Sequence, residues 1–211
     1  MSEATWNRIV NGKTVWQHLV EIYTNVERYE SENRIDNING TPFRITNQGF
    51  YIPAWLGLVR DSLERAGYGE GQTLIDLGVG DSRFLMVGRQ MGGKESEQKG
   101  PESDIVMYNL SCNIFDESHY KRGLDTPDLQ DIALGKDIMK YPIGDGDVVC
   151  AYVREEMQIP VVDKFYAFAK HKARLVMFNA SEKTQDRIHQ MSIDAPVIGS
   201  RNDPTIIAVK Q

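Results

Sequence analysis

Between residues 13 and 30 the side chains of Val15, Leu19, Ile22, Val26 and Tyr29 recur at three- and four-residue steps. That spacing lines one face of a helix, so this segment is predicted to be helical and amphipathic. The next stretch, 31–49, is polar and rich in Asn and Gly, which predicts a loop. A second amphipathic helix is expected to start near Pro53, a good first-turn residue, and to run through Trp55, Leu58, Val59, Leu63 and Ala66 until GYGEG ends it. Further on, the pattern changes to short apolar runs. Strands are predicted at 73–77 (TLIDL), 105–110 (IVMYNL), 131–134 (DIAL), 147–153 (DVVCAYV) and 173–179 (ARLVMFN). Helices are expected at 82–91, 114–123, 160–171 and 182–191, and a polar loop at 92–104 (GGKESEQKGPESD). APVIG and TIIAVK, separated by the turn-like SRNDP, close the chain as two strands near enough to be antiparallel. Buried strands alternating with helices predict βαβ units, an α/β fold with a mostly parallel sheet. The division is a helical extension, 1–49, and a sheet domain, 50–211.

Composition changes this picture little. The 211 residues are 41% hydrophobic and 26% charged, ordinary for a globular chain able to bury a substantial core. The net charge of -6 and pI near 5.3 show no basic balance, so a nucleic-acid partner is not expected. Cys112 and Cys150 sit in or beside apolar runs and form no CxxC pair, so reduced thiols and no metal are expected. MSEATWNRIV lacks the features of a signal peptide, and no apolar run approaches the ~20 residues that span a bilayer. A cytoplasmic protein without a membrane partner is the expectation, and the Asn-x-Ser/Thr triplets at Asn39, Asn109 and Asn179 are read as accidental.

The candidate chemistry lies in TLIDLGVGDSRFL, 73–85. In an open α/β sheet, ligands bind beyond the carboxyl ends of the strands. Glycines there allow close approach to the main chain, and the next helix offers unpaired N–H groups. The dinucleotide fingerprint G-x-G-x-x-G fits Gly78 and Gly80 but meets Arg83 at its third glycine, which counts against NAD. GRQMGGKE, 88–95, matches a phosphate loop up to Lys94, then places Glu95 where Ser or Thr should bind magnesium, and it follows a helix rather than a strand. Asp76-Leu-Gly78-Val-Gly80-Asp81-Ser82 resembles motif I of the class I S-adenosylmethionine-dependent methyltransferases, with Ser82 standing at the third glycine. A tight strand–helix turn without a ligand is the alternative.

The resemblance implies a Rossmann-like methyltransferase sheet and S-adenosylmethionine as cofactor. In its terms Asp76 anchors the ammonium of the cofactor, and the backbone at Gly78, Gly80 and Asp81 meets its carboxylate. Asn109 matches the acid that holds the ribose hydroxyls, where an amide can still donate and accept. Asp137, in LGKDIMKYP, matches the acid facing the adenine amino group; a helix cap or a surface carboxylate is its alternative reading. AYVREEM replaces both the D/N-P-P-Y/F box of the adenine and glutamine amino-methyltransferases and the Pro-Cys of the cytosine-C5 class. GFYIPAWLGLVRDSL and AYVREEMQIPVVDKF are similar to small protein-lysine methyltransferases, apart from Ala54, Trp55 and Arg154. That similarity puts Tyr51 and Pro53 at the acceptor entrance and Tyr152, Glu155 and Glu156 beside the methyl group. Glu155 and Glu156 also read as a solvated pair complementing a helix dipole. The implied activity is methyl transfer to an amine, on a protein lysine or a small molecule. A binding or scaffold module that keeps the fold is the alternative, motivated by Ser82 and Asn109.

Overall fold

A computed structural model describes residues 4–32, 37–38, 41–42, 44–46, 49–51, 53–192, 195–200 and 203–211. The side chains of Val26, Tyr29 and Tyr51 lie outside the described set. The first long helix is α1 (Val15–Glu32), followed by α2 (Leu56–Arg65). The sheet comprises β1 (Thr73–Leu77), β2 (Glu97–Glu102), β3 (Ile132–Leu134), β4 (Val148–Ala151), β5 (Arg174–Met177), β6 (Val197–Ser200) and β7 (Asp203–Val209). Its connecting helices are α3 (Arg83–Gly92), α4 (Ile105–Asp116), α5 (Glu155–Phe168) and α6 (Glu182–Met191).

The seven strands lie in the order β6-β7-β5-β4-β1-β2-β3. Strands β1 to β5 are parallel, and β7 runs antiparallel to both β5 and β6. This is the predicted mostly parallel sheet with an antiparallel C-terminal hairpin. β4 is buried along its whole length and β1 from Leu74 onward, as helix-covered parallel strands must be. One core cluster joins Val15, Leu19, Ile22 and Tyr23 of α1 to Val59 and Phe84. The other joins Val161 and Phe165 of α5 to Leu175 and Ile206. The chain turns back in strand order between β1 and β4, and a crevice opens there.

Four expectations are corrected. Residues 105–110 are the start of helix α4, not a strand. An apolar run of that length fits either state by pattern alone, and Asp104 decides it. Its carboxylate accepts the N–H groups of Val106 at 2.8 Å and Met107 at 3.3 Å, an N-cap. The second strand is instead EQKGPE, within the expected loop 92–104. Its glycine has a reason to be there: a Cβ on Gly100 would stand 2.0 Å from the Asp76 carbonyl oxygen. The expected loop 31–49 carries two short antiparallel ribbons, Asn37–Ile38 with Thr41–Pro42 and Arg44–Thr46 with Gly49–Tyr51. Helix α5 also starts earlier than predicted, at Glu155, and accommodates Pro160 within it. Among the described residues no helix is long and apolar enough to cross a membrane.

Candidate functional site

β1 ends in a turn whose backbone is left-handed at three places: Gly78 (φ 101°), Gly80 (φ 57°) and Ser82 (φ 61°). Glycine adopts such angles freely, whereas Ser82 carries a cost of roughly 1–2 kcal/mol. Ser82 is the N-cap residue of α3 but makes no capping bond; its hydroxyl donates to the Asp81 carbonyl at 2.6 Å. A Cβ placed on Gly78 would meet nothing within 4 Å, so the space beside this backbone is open. It belongs to a cavity of about 880 Å³ at the carboxyl ends of the parallel strands.

Seven of the predicted residues line that cavity: Gly78, Gly80, Asp81, Asp137, Tyr152, Glu155 and Glu156. Asp81 is held by Arg83, whose Nε lies 2.9 Å from Oδ1 and whose Nη2 lies 2.5 Å from Oδ2; both residues are 1% exposed. The same guanidinium donates to the Ala54 carbonyl and sits 4.9 Å over the Tyr23 ring. Arg83, the residue that argues against a dinucleotide loop, thus ties the glycine turn to the segment before α2 and to α1.

Asp76 is fully buried and lies outside the cavity wall, beneath the turn. Neither of its carboxyl oxygens has a hydrogen-bond partner among the described residues. Burial, reinforced by the Glu102 and Asp81 carboxylates, pushes its carboxyl well above the ordinary carboxylate range.

Asn109 is corrected. It stands on the exposed side of α4 and does not line the cavity, because the segment expected as a strand is helical. The strand-end acid is Glu102, which the sequence reading missed. It lines the cavity, accepts Gly80 N–H through Oε2 at 2.7 Å, and accepts Asp104 N–H through Oε1 at 2.7 Å. Burial raises its pKa, while backbone hydrogen bonds from Asp104, Gly80 and Ser103 oppose the shift. A signal existed in the sequence: Asp104 before an apolar run marks a helix start, which leaves Glu102 at the end of the element before it.

Asp137 is exposed at the cavity wall and accepts Met139 N–H at 2.8 Å, so its turn-capping role is real. That turn is fastened from below by Lys164 of α5, whose ammonium donates to the Ile138 and Tyr141 carbonyls, both at 2.5 Å. Burial lowers the Lys164 pKa. On the opposite wall Tyr152 packs against Phe178 (6.3 Å between ring centres), and Phe178 against Phe84 (4.7 Å). Glu155 and Glu156 occupy the first turn of α5, where the helix dipole favours them, and Glu156 pairs with Arg154 at 3.1 Å. Asn179, another residue the sequence reading missed, lines the cavity after β5 with φ 49°, and its carbonyl accepts from the Gln158 amide at 2.8 Å.

The entrance segment is placed only in part. Tyr51 lies in a ribbon opposite Arg44, and Pro53 is half-buried and outside the cavity wall. Ala54 is the residue of this segment that reaches the cavity. Among the described residues no cluster of three or more His, Cys, Asp and Glu side chains could hold a metal.

No protein-family model matches this chain, and no curated protein does. Many solved structures share its fold. An RNA methyltransferase from Salinibacter ruber, in complex with S-adenosyl-L-homocysteine, is 16% identical with a TM-score of 0.59, over 75% of this chain and 93% of that one. A SAM-dependent O-methyltransferase from Thermotoga maritima is 17% identical with a TM-score of 0.52, over 80% and 77%. An O-methyltransferase from Bacillus cereus, in complex with SAH, is 11% identical with a TM-score of 0.55, over 90% and 100%. At these identities the likeness shows the fold, a Rossmann-like methyltransferase sheet. An RNA methyltransferase shares it, so the fold lends no support to the expectation against a nucleic-acid acceptor.

Proposed function

We propose that the protein is an S-adenosylmethionine-dependent methyltransferase acting on an amine, on a protein lysine or a small molecule. The observation that carries the reading is Glu102. A buried acid ends the strand next to β1, faces the same cavity as the glycine turn, and is clamped to that turn by Gly80 N–H. Its carboxylate accepts from the backbone at Gly80, Asp104 and Ser103 and keeps acceptor capacity for a ribose hydroxyl. The open backbone at Gly78 suits the amino-acid end of the cofactor, and the turn at Asp137 and Ile138 suits the adenine. That similar folds are found with S-adenosyl-L-homocysteine supports the same choice. The scaffold alternative rested on Ser82 and Asn109, and Asn109 no longer bears on ribose binding.

When bound, the cofactor supplies an electrophilic methyl group on a sulfonium centre. The chain's own residues then have to orient a neutral acceptor. A free lysine has a pKa near ~10.4 and is mostly charged at neutral pH. In this reading Glu155 receives and orients the ammonium, while Tyr152 and Phe84 offer it an aromatic, partly dry wall. Withdrawal from water favours loss of the proton. Alignment of the two reactants accounts for most of the acceleration, so no potent nucleophile is needed.

Thermal unfolding with four ligands tests the cofactor. S-adenosylmethionine and S-adenosylhomocysteine are expected to raise the melting temperature, because each binds the native state, and NAD and ATP to leave it unchanged. A rise with NAD alone would overturn the reading, and silence with all four would favour the scaffold. A labelled-methyl transfer assay over lysate fractions then separates protein from small-molecule acceptors.

A further inference from the structure

We propose that Asp76 is a neutral carboxylic acid in the ligand-free protein and gives up its proton when the ammonium of a bound amino-acid-bearing nucleoside arrives, making binding at this cavity proton-linked. The proposal rests on the cofactor reading above. It starts from an anomaly in the core: a fully buried carboxyl with both oxygens unpartnered among the described residues. An ionised carboxylate in such a place is so unfavourable that the group neutralises instead.

The surroundings offer it no relief. From β2 it feels the Glu102 carboxylate and from the turn that of Asp81. From β4 the residue in register is Cys150, and from α1 the neighbouring titratable group is Tyr23, both of them neutral when protonated. The nearby cation, Arg83, is committed to Asp81 and the Ala54 carbonyl. Among the described residues Asp76 therefore lacks the positive charge that would let it ionise. Two residues further on, the backbone at Gly78 borders open cavity. A ligand ammonium lodged there brings a positive charge to the turn that follows Asp76, and Coulombic attraction to a buried carboxylate is stronger than in bulk water. The O–H bond of Asp76 breaks, its electron pair stays on the carboxylate, and the proton leaves to solvent. The sulfonium or thioether centre plays no part in this step.

Infrared spectroscopy reads the first half directly. The ligand-free protein at neutral pH is expected to show a carbonyl stretch of a protonated carboxyl that is missing in Asp76→Asn; its absence from the wild-type spectrum would overturn the proposal. Calorimetry reads the second half on the wild-type protein, with S-adenosylhomocysteine titrated in buffers of different ionisation enthalpy. About one proton is expected to be released per ligand, with affinity rising up to about tenfold per pH unit while the acid is protonated. 5′-Methylthioadenosine, which keeps the nucleoside and lacks the amino-acid end, is the control. Any titration of Glu102 against the ribose appears with both ligands, whereas the Asp76 proton is expected with S-adenosylhomocysteine alone. Binding of S-adenosylhomocysteine without that excess proton would sink the proton linkage and leave the cofactor reading standing. No binding at any pH would sink the cofactor reading, and the release step with it, while the infrared band still judges whether Asp76 is protonated.

Discussion

Arg83 and Asp81 show how a single pair of side chains can shape a binding turn. Their ion pair is 1% exposed on each side, and the guanidinium also satisfies the Ala54 carbonyl. A buried pair of this kind is weak evidence of stabilisation in itself, but removing one partner strands the other charge. Arg83→Met is therefore expected to lower unfolding stability by about 3–5 kcal/mol, and the double variant Arg83→Met with Asp81→Asn to recover part of that loss. Urea denaturation of the wild type, both single variants and the double variant checks it; additive losses would mean the pair does not act as a unit. At this scale much of the site was legible. Gly78 and Gly80 take the left-handed backbone that the motif demands. Ser82 was visible as a departure, but that a serine would bear the same left-handed strain was not, because φ is fixed by the neighbouring turn rather than by the residue.

At the scale of elements, β2 and α4 explain where pattern reading failed. EQKGPE is polar and contains both glycine and proline, so nothing in its period marks a strand. It is a strand because its neighbours make it one: β1 lies on one side, β3 on the other, and Gly100 lets the Asp76 backbone pass closely. Gly100→Ala is expected to destabilise the protein by about 3 kcal/mol, the upper end of overpacking costs, since the clash is with backbone and cannot relax through a rotamer. A measured loss below about 1 kcal/mol would show that β1 and β2 are not locked together as described. The error at β2 carried Asn109 into the expected site and left Glu102 out. By contrast β1, β4 and β5 were legible because strands buried on both faces are near-continuous apolar runs, with Asp76 the exception inside β1.

Across the whole molecule, the site is where the fold places it. The strand order reverses between β1 and β4, and the cavity lies at that switch, with α1 packed into the same core cluster as Phe84 of α3. The alternation of elements made this general location legible. The opposing wall was less so, since Asn179 and Glu102 reach the cavity only through tertiary arrangement. The measurement that bears most directly on the account is a calorimetric titration of S-adenosylhomocysteine into the wild-type protein and Glu102→Gln. Saturable one-to-one binding is expected, weakened at least about tenfold in the variant, the loss that goes with a charge-assisted hydrogen bond. Equal affinity in the two proteins, or no binding to the wild type, would contradict it.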